Sequence, residues 1–417
     1  MPIWKFGVAV MERIYPILTA TDKAARALRG GHPWVYGEEV LETCGECRDG
    51  GIVDVQTRSG HWLGAGFFNS ASKIRVRILS RNKNDQFDEA FWERRLRYAV
   101  DYRRTVMGAD FSNCRLIFGE ADGFPGLTVD RFESVLVVQV LSLGIERIKT
   151  GLLSALVRIL REYGQQIDAV YERNDVKLRA KEGLEQGKGF LTLDGLRTDL
   201  PGHVEITENG IRYDVDYING QKTGFFLDQK YNRRAAAQLA RGKRVLDCFT
   251  HTGAFGLNCA AGGAEHVVSV DVSEDALETA RHNARLNGLE QKIDYRCADV
   301  FELLTALSAE KRGAYDFVIL DPPAFTKSSA TVQNAIRGYK EINLKAMRVL
   351  PRGGYLATCS CSHFMTDELF RKMLADAAKD AQVSLRQIEA RQQGPDHPIL
   401  WNVPETDYLK FYLFQIV

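Results

Sequence analysis

Lys243-Arg-Val-Leu-Asp-Cys-Phe-Thr-His-Thr-Gly-Ala-Phe-Gly-Leu257 is the stretch that decides the fold. Its first half reads as a strand that ends in an acid, Asp247; Gly253 then supplies a turn, and a helix begins. Such a strand–turn–helix brings backbone close to a bound ligand. The spacing is not G-x-G-x-x-G, the pattern that cradles a pyrophosphate. A carboxylate at the strand end suits a ligand that carries a cation instead.

The next two elements extend the pattern. Val267-Val-Ser-Val-Asp271 is a strand ending in an acid, placed where an acid grips ribose hydroxyls. A helix follows: Ser273 is the N-cap, Ala276, Leu277, Ala280 and Ala284 form its apolar face, and Gly288 stops it. A third strand ends at Ala298-Asp299-Val300, where Asp299 would reach an adenine amino group. Ammonium, ribose and adenine together describe S-adenosylmethionine, which has no pyrophosphate. Over roughly residues 225–362 the ordered acids resemble the Rossmann-like class I methyltransferases. The competing reading, a nicotinamide enzyme, is disfavoured by the missing second and third motif glycines.

Tyr315-Asp-Phe-Val-Ile-Leu is a fourth strand running into Asp321-Pro-Pro-Ala-Phe325. Two prolines fix φ and carry no N–H, so this turn is stiff and its carbonyls are free to accept from a planar base. The acid ahead of it is free to do the same, with an aromatic nearby for stacking. A fifth strand, Gly354-Tyr-Leu-Ala-Thr, ends in Cys359-Ser-Cys361-Ser. A cysteine at such a strand end faces the ligand crevice. Carbon C5 of a pyrimidine is a poor nucleophile, and attack of a thiolate on C6 makes it reactive. Residues i and i+2 of a strand face the same side, so spacing does not choose between the two thiols. Methylation of a guanine nitrogen needs no thiol and is the competing chemistry; an RNA-binding assembly factor without activity is the non-enzymatic one.

Upstream, the chain of 417 residues is too long for one ordinary domain. Residues 12–84 read as a β-rich unit. In Ser72-Lys-Ile-Arg-Val-Arg-Ile-Leu, Ile74, Val76 and Ile78 alternate with Lys73, Arg75 and Arg77, a basic row suited to a phosphate backbone. Residues 85–203 read as α+β, with a basic helix over Phe91–Thr105 and a second helix over Ile145–Arg161. Residues 204–417 alternate strands and helices, the α/β signature of a mostly parallel sheet covered by helices on both faces. Residues 1–10 precede a second methionine, Met11, and are read as an extension or a frayed tail.

Hydrophobic residues at 45% and charged residues at 26% are the balance of a soluble globular protein, and no apolar run suffices for a membrane span. The opening residues are too short, and followed too soon by charges, for a signal peptide. A net charge of +1 confines any polyanion-binding surface to a local patch. The eight cysteines are scattered, which reads as reduced thiols in a cytoplasmic protein. Cys44-Gly-Glu-Cys47 is a lone C-x-x-C, and no metal site is expected.

Taken together the chain resembles the bacterial 23S ribosomal RNA cytosine-C5 methyltransferases, which join a PUA domain, a central α+β domain and a class I methyltransferase domain. The resemblance rests on His32-Pro-Trp-Val-Tyr36, Gly119-Glu-Ala-Asp-Gly-Phe-Pro-Gly-Leu-Thr-Val-Asp-Arg-Phe132, Lys222-Thr-Gly-Phe-Phe-Leu-Asp-Gln229, Asp247–Gly253, Asp321–Phe325 and Ser360-Cys-Ser362. It implies that Cys361 is the nucleophile, with Asp321 and Pro322 orienting the base. The implied cofactor contacts are Phe226, Gln229, Asp247, Phe249, Thr250, Gly253, Asp271, Val272, Asp299, Val300 and Asp321. The implied partner is RNA, either 23S rRNA or a ribosomal precursor particle, bound through the PUA domain with Lys73, Arg75 and Arg77; a homodimer is compatible with it. The chain departs from broader RNA cytosine methyltransferases in one respect. Those often carry a second cysteine after the proline pair to aid product release, whereas Ala324-Phe325 stands here. Release must then use another base.

Overall fold

The computed structural model describes residues 13–310, 313–326 and 328–417; the extension ahead of Met11 lies outside them. The C-terminal sheet has seven strands. They are β1 (Arg244–Cys248), β2 (His266–Asp271), β3 (Ile293–Cys297), β4 (Phe317–Leu320), β5 (Tyr355–Ser360), β6 (Leu385–Arg391) and β7 (Lys410–Ile416). Their order is β3-β2-β1-β4-β5-β7-β6, and β7 runs antiparallel to both its neighbours. Phe317, Val318, Ile319 and Leu320 are all fully buried, as a strand with helices over both faces requires. On one face Phe255, Leu257, Val267, Phe317, Ile319 and Phe411 pack together. On the other, Leu246, Val270, Val318 and Leu320 meet Tyr339, Ile342, Phe370 and Met373 of the helices Val332–Val349 and Asp367–Ala381. The sequence order reverses between β1 and β4, so their C-terminal ends border the crevice where this fold class binds ligands.

A second, five-stranded sheet has the order Lys188–Phe190, Ala169–Arg173, Val135–Val140, Leu127–Phe132, Asn113–Phe118. Its helices are Glu89–Met107, capped by Asp88 accepting from the Phe91 amide at 2.9 Å, and Leu143–Glu162. Each extends the helix read from periodicity by a residue or more at either end. A hairpin, His203–Glu208 with Ile211–Asp216, lies between this sheet and the seven-stranded one. Ile206, Ile211, Tyr213 and Val215 share one core with Phe132, Val135 and Tyr171 on one side and Phe255 and Val267 on the other. The two sheets are therefore joined through continuous hydrocarbon.

Residues 17–80 form a six-stranded sheet around one short helix, Asp22–Arg29. Here the basic row departs from the alternation expected. Lys73 is exposed, and Arg75 turns back onto the carbonyls of Asn69 and Ser70. Arg77 is buried, bonded to Glu182 at 2.9 Å and Glu120 at 3.2 Å, with the Trp34 ring beneath it. Glu120 also accepts from the Trp34 indole at 3.0 Å. Arg77 thus joins the first sheet to the second and is not an open cation; strand alternation fixes a face, and a neighbouring sheet decides whether that face sees water.

Arg103 binds the central sheet to the last domain. It is fully buried, forks onto both oxygens of Asp122, and donates to the carbonyls of Arg115 at 2.9 Å and Asp396 at 2.8 Å. Replacing it with methionine strands a buried carboxylate, so Arg103→Met is expected to lower stability by about 3–5 kcal/mol in denaturant unfolding. Arg94→Met, whose partner Asp85 is met across an exposed bridge, should change it by less than about 1 kcal/mol.

Candidate active site

The turn after β1 is held in an uncommon backbone conformation. Phe249 and His251 have φ of 63° and 51°, and Gly253 has 84°. Non-glycine residues there store strain that a functional loop tolerates. The surroundings fix it: Asp247 Oδ2 accepts from the Thr250 hydroxyl and, at 2.8 Å, from the Gly256 amide. Gly253 and Gly256 are needed for closeness, since a Cβ would lie 2.9 Å from Ala280 Cβ and 2.5 Å from Ser269 Oγ respectively. Gly256 seats the helix Ala254–Ala261 against β1 and β2, the packing role a motif glycine plays in dinucleotide folds, and Gly253 lets the turn approach the helix Glu274–Leu286.

At the tip of β2, Asp271 accepts from the His251 amide at 2.9 Å and the Ser273 amide at 3.0 Å. Both bonds fix the carboxylate at the mouth of a 250 Å³ cavity. The same cavity is lined by Phe226, Gln229, Phe249, Thr250, Val272, Asp321, Pro322 and Cys361. Asp247 and Gly253 lie behind this lining rather than in it. Asp247 is 1% exposed, and its Oδ1 has no protein partner.

Asp299 and Val300 stand apart. The Asp299 carboxylate accepts from the Phe301 and Glu302 amides at 2.7 and 3.1 Å, capping the helix Val300–Ala309, and Val300 is buried beneath it. A strand-end aspartate ahead of a helix has two available uses, and here its bonds are those of a cap. Phe325 also differs from expectation: its ring packs on Tyr339 at 4.5 Å and Phe301 at 5.8 Å. The aromatics bordering the cavity are Phe226, Phe249, Phe225 and Phe255.

The two cysteines of the β5 tip are in different surroundings. Cys359 is fully buried in the core with Phe255 and Phe411. Cys361 borders the cavity, its Sγ 3.9 Å from the Pro322 carbonyl. Burial, then the charge of Asp321, pushes its thiol up to about 11, against the pull of Lys222. Asp321 itself is raised to about 6 by burial and by Asp228, while Gln229 donates to its Oδ1 at 2.9 Å. Asn232 in turn donates to Gln229 at 2.7 Å, which fixes the amide's orientation.

Four groups that sequence patterning alone did not single out complete the site. Lys222 has φ of 53°, lies over the Phe226 ring at 4.7 Å and lines the cavity. Asp228 and Arg233 line it too; Arg233 pairs with buried Glu208 at 2.7 Å and donates to the Phe226 carbonyl. Lys410 lies behind the thiol's turn, donating to the carbonyls of Ser362 at 2.6 Å and Tyr408 at 2.9 Å. Lys222 and Asp228 sit inside the Lys222–Gln229 motif, so their signal was present; Arg233 and Lys410 needed three dimensions. Among the described residues no cluster of three or more His, Cys, Asp or Glu could hold a metal, and no helix is long and apolar enough to cross a membrane.

The site suits S-adenosylmethionine. The unpartnered Asp247 oxygen is a buried acceptor lacking a cation, and the fixed Asp271 carboxylate suits hydroxyl groups. Comparison with known proteins agrees. Residues 126–415 match the family model described as S-adenosylmethionine-dependent methyltransferase, and residues 18–81 match that of a PUA-like domain. Ribosomal RNA large subunit methyltransferase I of Aliivibrio fischeri is 41% identical over 394 residues, 94% of this chain and 97% of the relative. Its Klebsiella pneumoniae counterpart is 38% identical over 408 residues, 97% and 100% of the two chains. Among solved structures, a Streptococcus mutans chain assigned as an S-adenosylmethionine-dependent methyltransferase superposes with a TM-score of 0.80 at 21% identity, covering 96% and 99% of the two chains, a likeness of fold.

Burial raises the Asp247 carboxyl to about 7, so without ligand it is neutral below that pH and ionised above it. A cationic ligand needs the ionised form. Affinity for S-adenosylmethionine, measured by calorimetry, should therefore fall as pH drops through 7, by up to about tenfold per unit. Asp247→Asn should bind more weakly at pH 8 and show a flatter profile.

Proposed function

We propose, for a chain that belongs to the S-adenosylmethionine-dependent methyltransferase family, that it methylates C5 of a cytidine in large-subunit ribosomal RNA. The observation that carries the reading is the placement of Cys361: the thiol borders the same cavity as Asp271, beside Asp321 and the Pro322 carbonyl. Nitrogen methylation leaves this thiol without a task. The relatives' name supports large-subunit ribosomal RNA as the substrate, and the PUA-like domain supports RNA as the partner. Naked 23S rRNA or a precursor particle would be met in the cytoplasm.

S-adenosylmethionine, when bound, supplies an electrophilic methyl group. Asp247 and Asp271 would hold its charged and hydroxyl-bearing parts, with Phe226, Gln229, Phe249, Thr250, Gly253 and Val272 around them. Asp299 and Val300 would contribute through the helix start they form. Asp321 and the Pro322 carbonyl would orient the base through its polar edge. Cys361 would attack C6, forming the S–C6 bond and giving C5 carbanion character. The thiol is protonated at neutral pH, so its proton must leave as the base enters; Asp321, ionised above pH 6, is adjacent and able to receive it.

Cys361→Ala should reduce turnover by about 10⁴-fold or more while leaving calorimetric cofactor affinity within about twofold. Cys359→Ala should retain methyl transfer. Nucleoside mass spectrometry of large-subunit RNA from cells with and without the gene tests the product: loss of 5-methylcytidine is expected, and loss of a methylguanosine instead would refute the carbon chemistry. In single-turnover assays the rate should rise with pH from a limb near 6, because Asp321 is the raised acid and loses its proton there.

A further inference from the structure

Methylation at C5 by way of a cysteine adduct leaves one proton on C5 that must be removed before the thiol departs. The position after the proline pair that could help is Ala324-Phe325, which cannot accept a proton. The acceptor must come from elsewhere in the cavity, and few groups there have a free lone pair.

Asp271 has both oxygens engaged by the amides of His251 and Ser273, at the β2 end of the cavity. His251 belongs to that end too, its ring edge-on to Phe226 at 5.2 Å. Asp321 Oδ1 is held by Gln229, and this carboxylate is the one adjacent to the thiol as it loses its own proton. Asp228 differs from all three. It is 7% exposed and lines the cavity; Oδ2 accepts from the Tyr408 hydroxyl at 2.6 Å, and Oδ1 is buried with no partner. Its backbone is fixed as well, since the carbonyl accepts from the Gly394 amide at 2.9 Å. An unpaired carboxylate oxygen inside a protein carries a desolvation penalty. Such a group is retained where it meets something that arrives later. Burial opposes its charge, yet His397, Lys222 and the Tyr408 hydroxyl hold it below the usual carboxylate range, so it is ionised at neutral pH. It lines the same cavity as Cys361, Asp321 and Pro322.

Resting on the carbon-methylation reading above, we propose that Asp228 is the base that removes the C5 proton, through Oδ1. After the methyl group is on C5, Oδ1 takes the C5 proton. The C5–H electron pair becomes the C5=C6 double bond, the C6–S bond breaks, and its pair stays on Cys361 as thiolate. The proton then resides on Asp228, whose other oxygen keeps the Tyr408 bond.

The test uses Asp228→Asn and Asp228→Ala in the full chain, with S-adenosylmethionine and large-subunit RNA, analysed on denaturing gels. Both variants should transfer one methyl group per active site and then stall as a covalent protein–RNA adduct, with steady-state turnover down by 100-fold or more. Added formate should release the Asp228→Ala adduct. Wild-type turnover in either variant overturns the proposal. So does loss of methyl transfer without adduct, or loss of calorimetric cofactor binding in both, since Asp228 would then act before the proton step. Wild-type protein with RNA containing 5-fluorocytidine separates the two levels. A trapped adduct there with none in the variants sinks the Asp228 assignment alone, and no adduct in any of them sinks the carbon chemistry itself.

Discussion

A carboxylate taken out of water must find its donors inside the protein, and this molecule positions its catalytic cavity by that requirement. Asp130 is fully buried in the central sheet. Arg115 forks onto it at 2.7 and 2.8 Å, and the Thr223 hydroxyl donates to it at 2.5 Å. Thr223 opens the segment that carries Phe226, Asp228 and Gln229 into the cavity. The Arg115 amide meanwhile donates to Asp396 at 2.9 Å, and Asp396 precedes the His397 whose charge acts on Asp228. One buried acid in the middle sheet thus holds the start of a segment that lines a cavity of the last sheet.

The same burial sets the reactivity of the cavity. Asp247, Asp321 and Cys361 are all pushed towards their neutral forms by desolvation, and the thiol is protonated at neutral pH. A cation placed beside Asp247 would favour its ionised form. Asp228 is the exception: its neighbours keep it charged despite burial, and it is the group with an oxygen left over.

Contacts around the first two sheets give a structural role to two of the stretches on which the family resemblance rests. Trp34 of the His32–Tyr36 motif and Glu120 of the Gly119–Phe132 motif meet at Arg77. Asp122, two residues on, receives Arg103, and Asp130, near the motif's end, receives Arg115. These unusual stretches are the mutual anchors of the sheets. The basic helix Glu89–Met107 follows the same rule, since Arg95 and Arg103 are consumed internally and Arg97 is bridged to Glu93 and Glu162.

The sequence by itself determined the alternating strands and helices of the last domain, the acids at the strand tips, a proline pair after one strand and a thiol after another. Each of those is a local matter of periodicity, turn chemistry or side-chain type, legible within a few residues. Tertiary structure decided the rest. It buried Cys359 within the strand, its thiol against Asp321 and Gln229, and ended the strand at Ser360 so that Cys361 borders the cavity. It turned Asp299 into a cap and Arg77 into an anchor, and it left one oxygen of Asp228 unpaired. Whether a polar atom is satisfied depends on groups far away in sequence, and for Asp228 the partner, Tyr408, lies at the opposite end of the domain's chain.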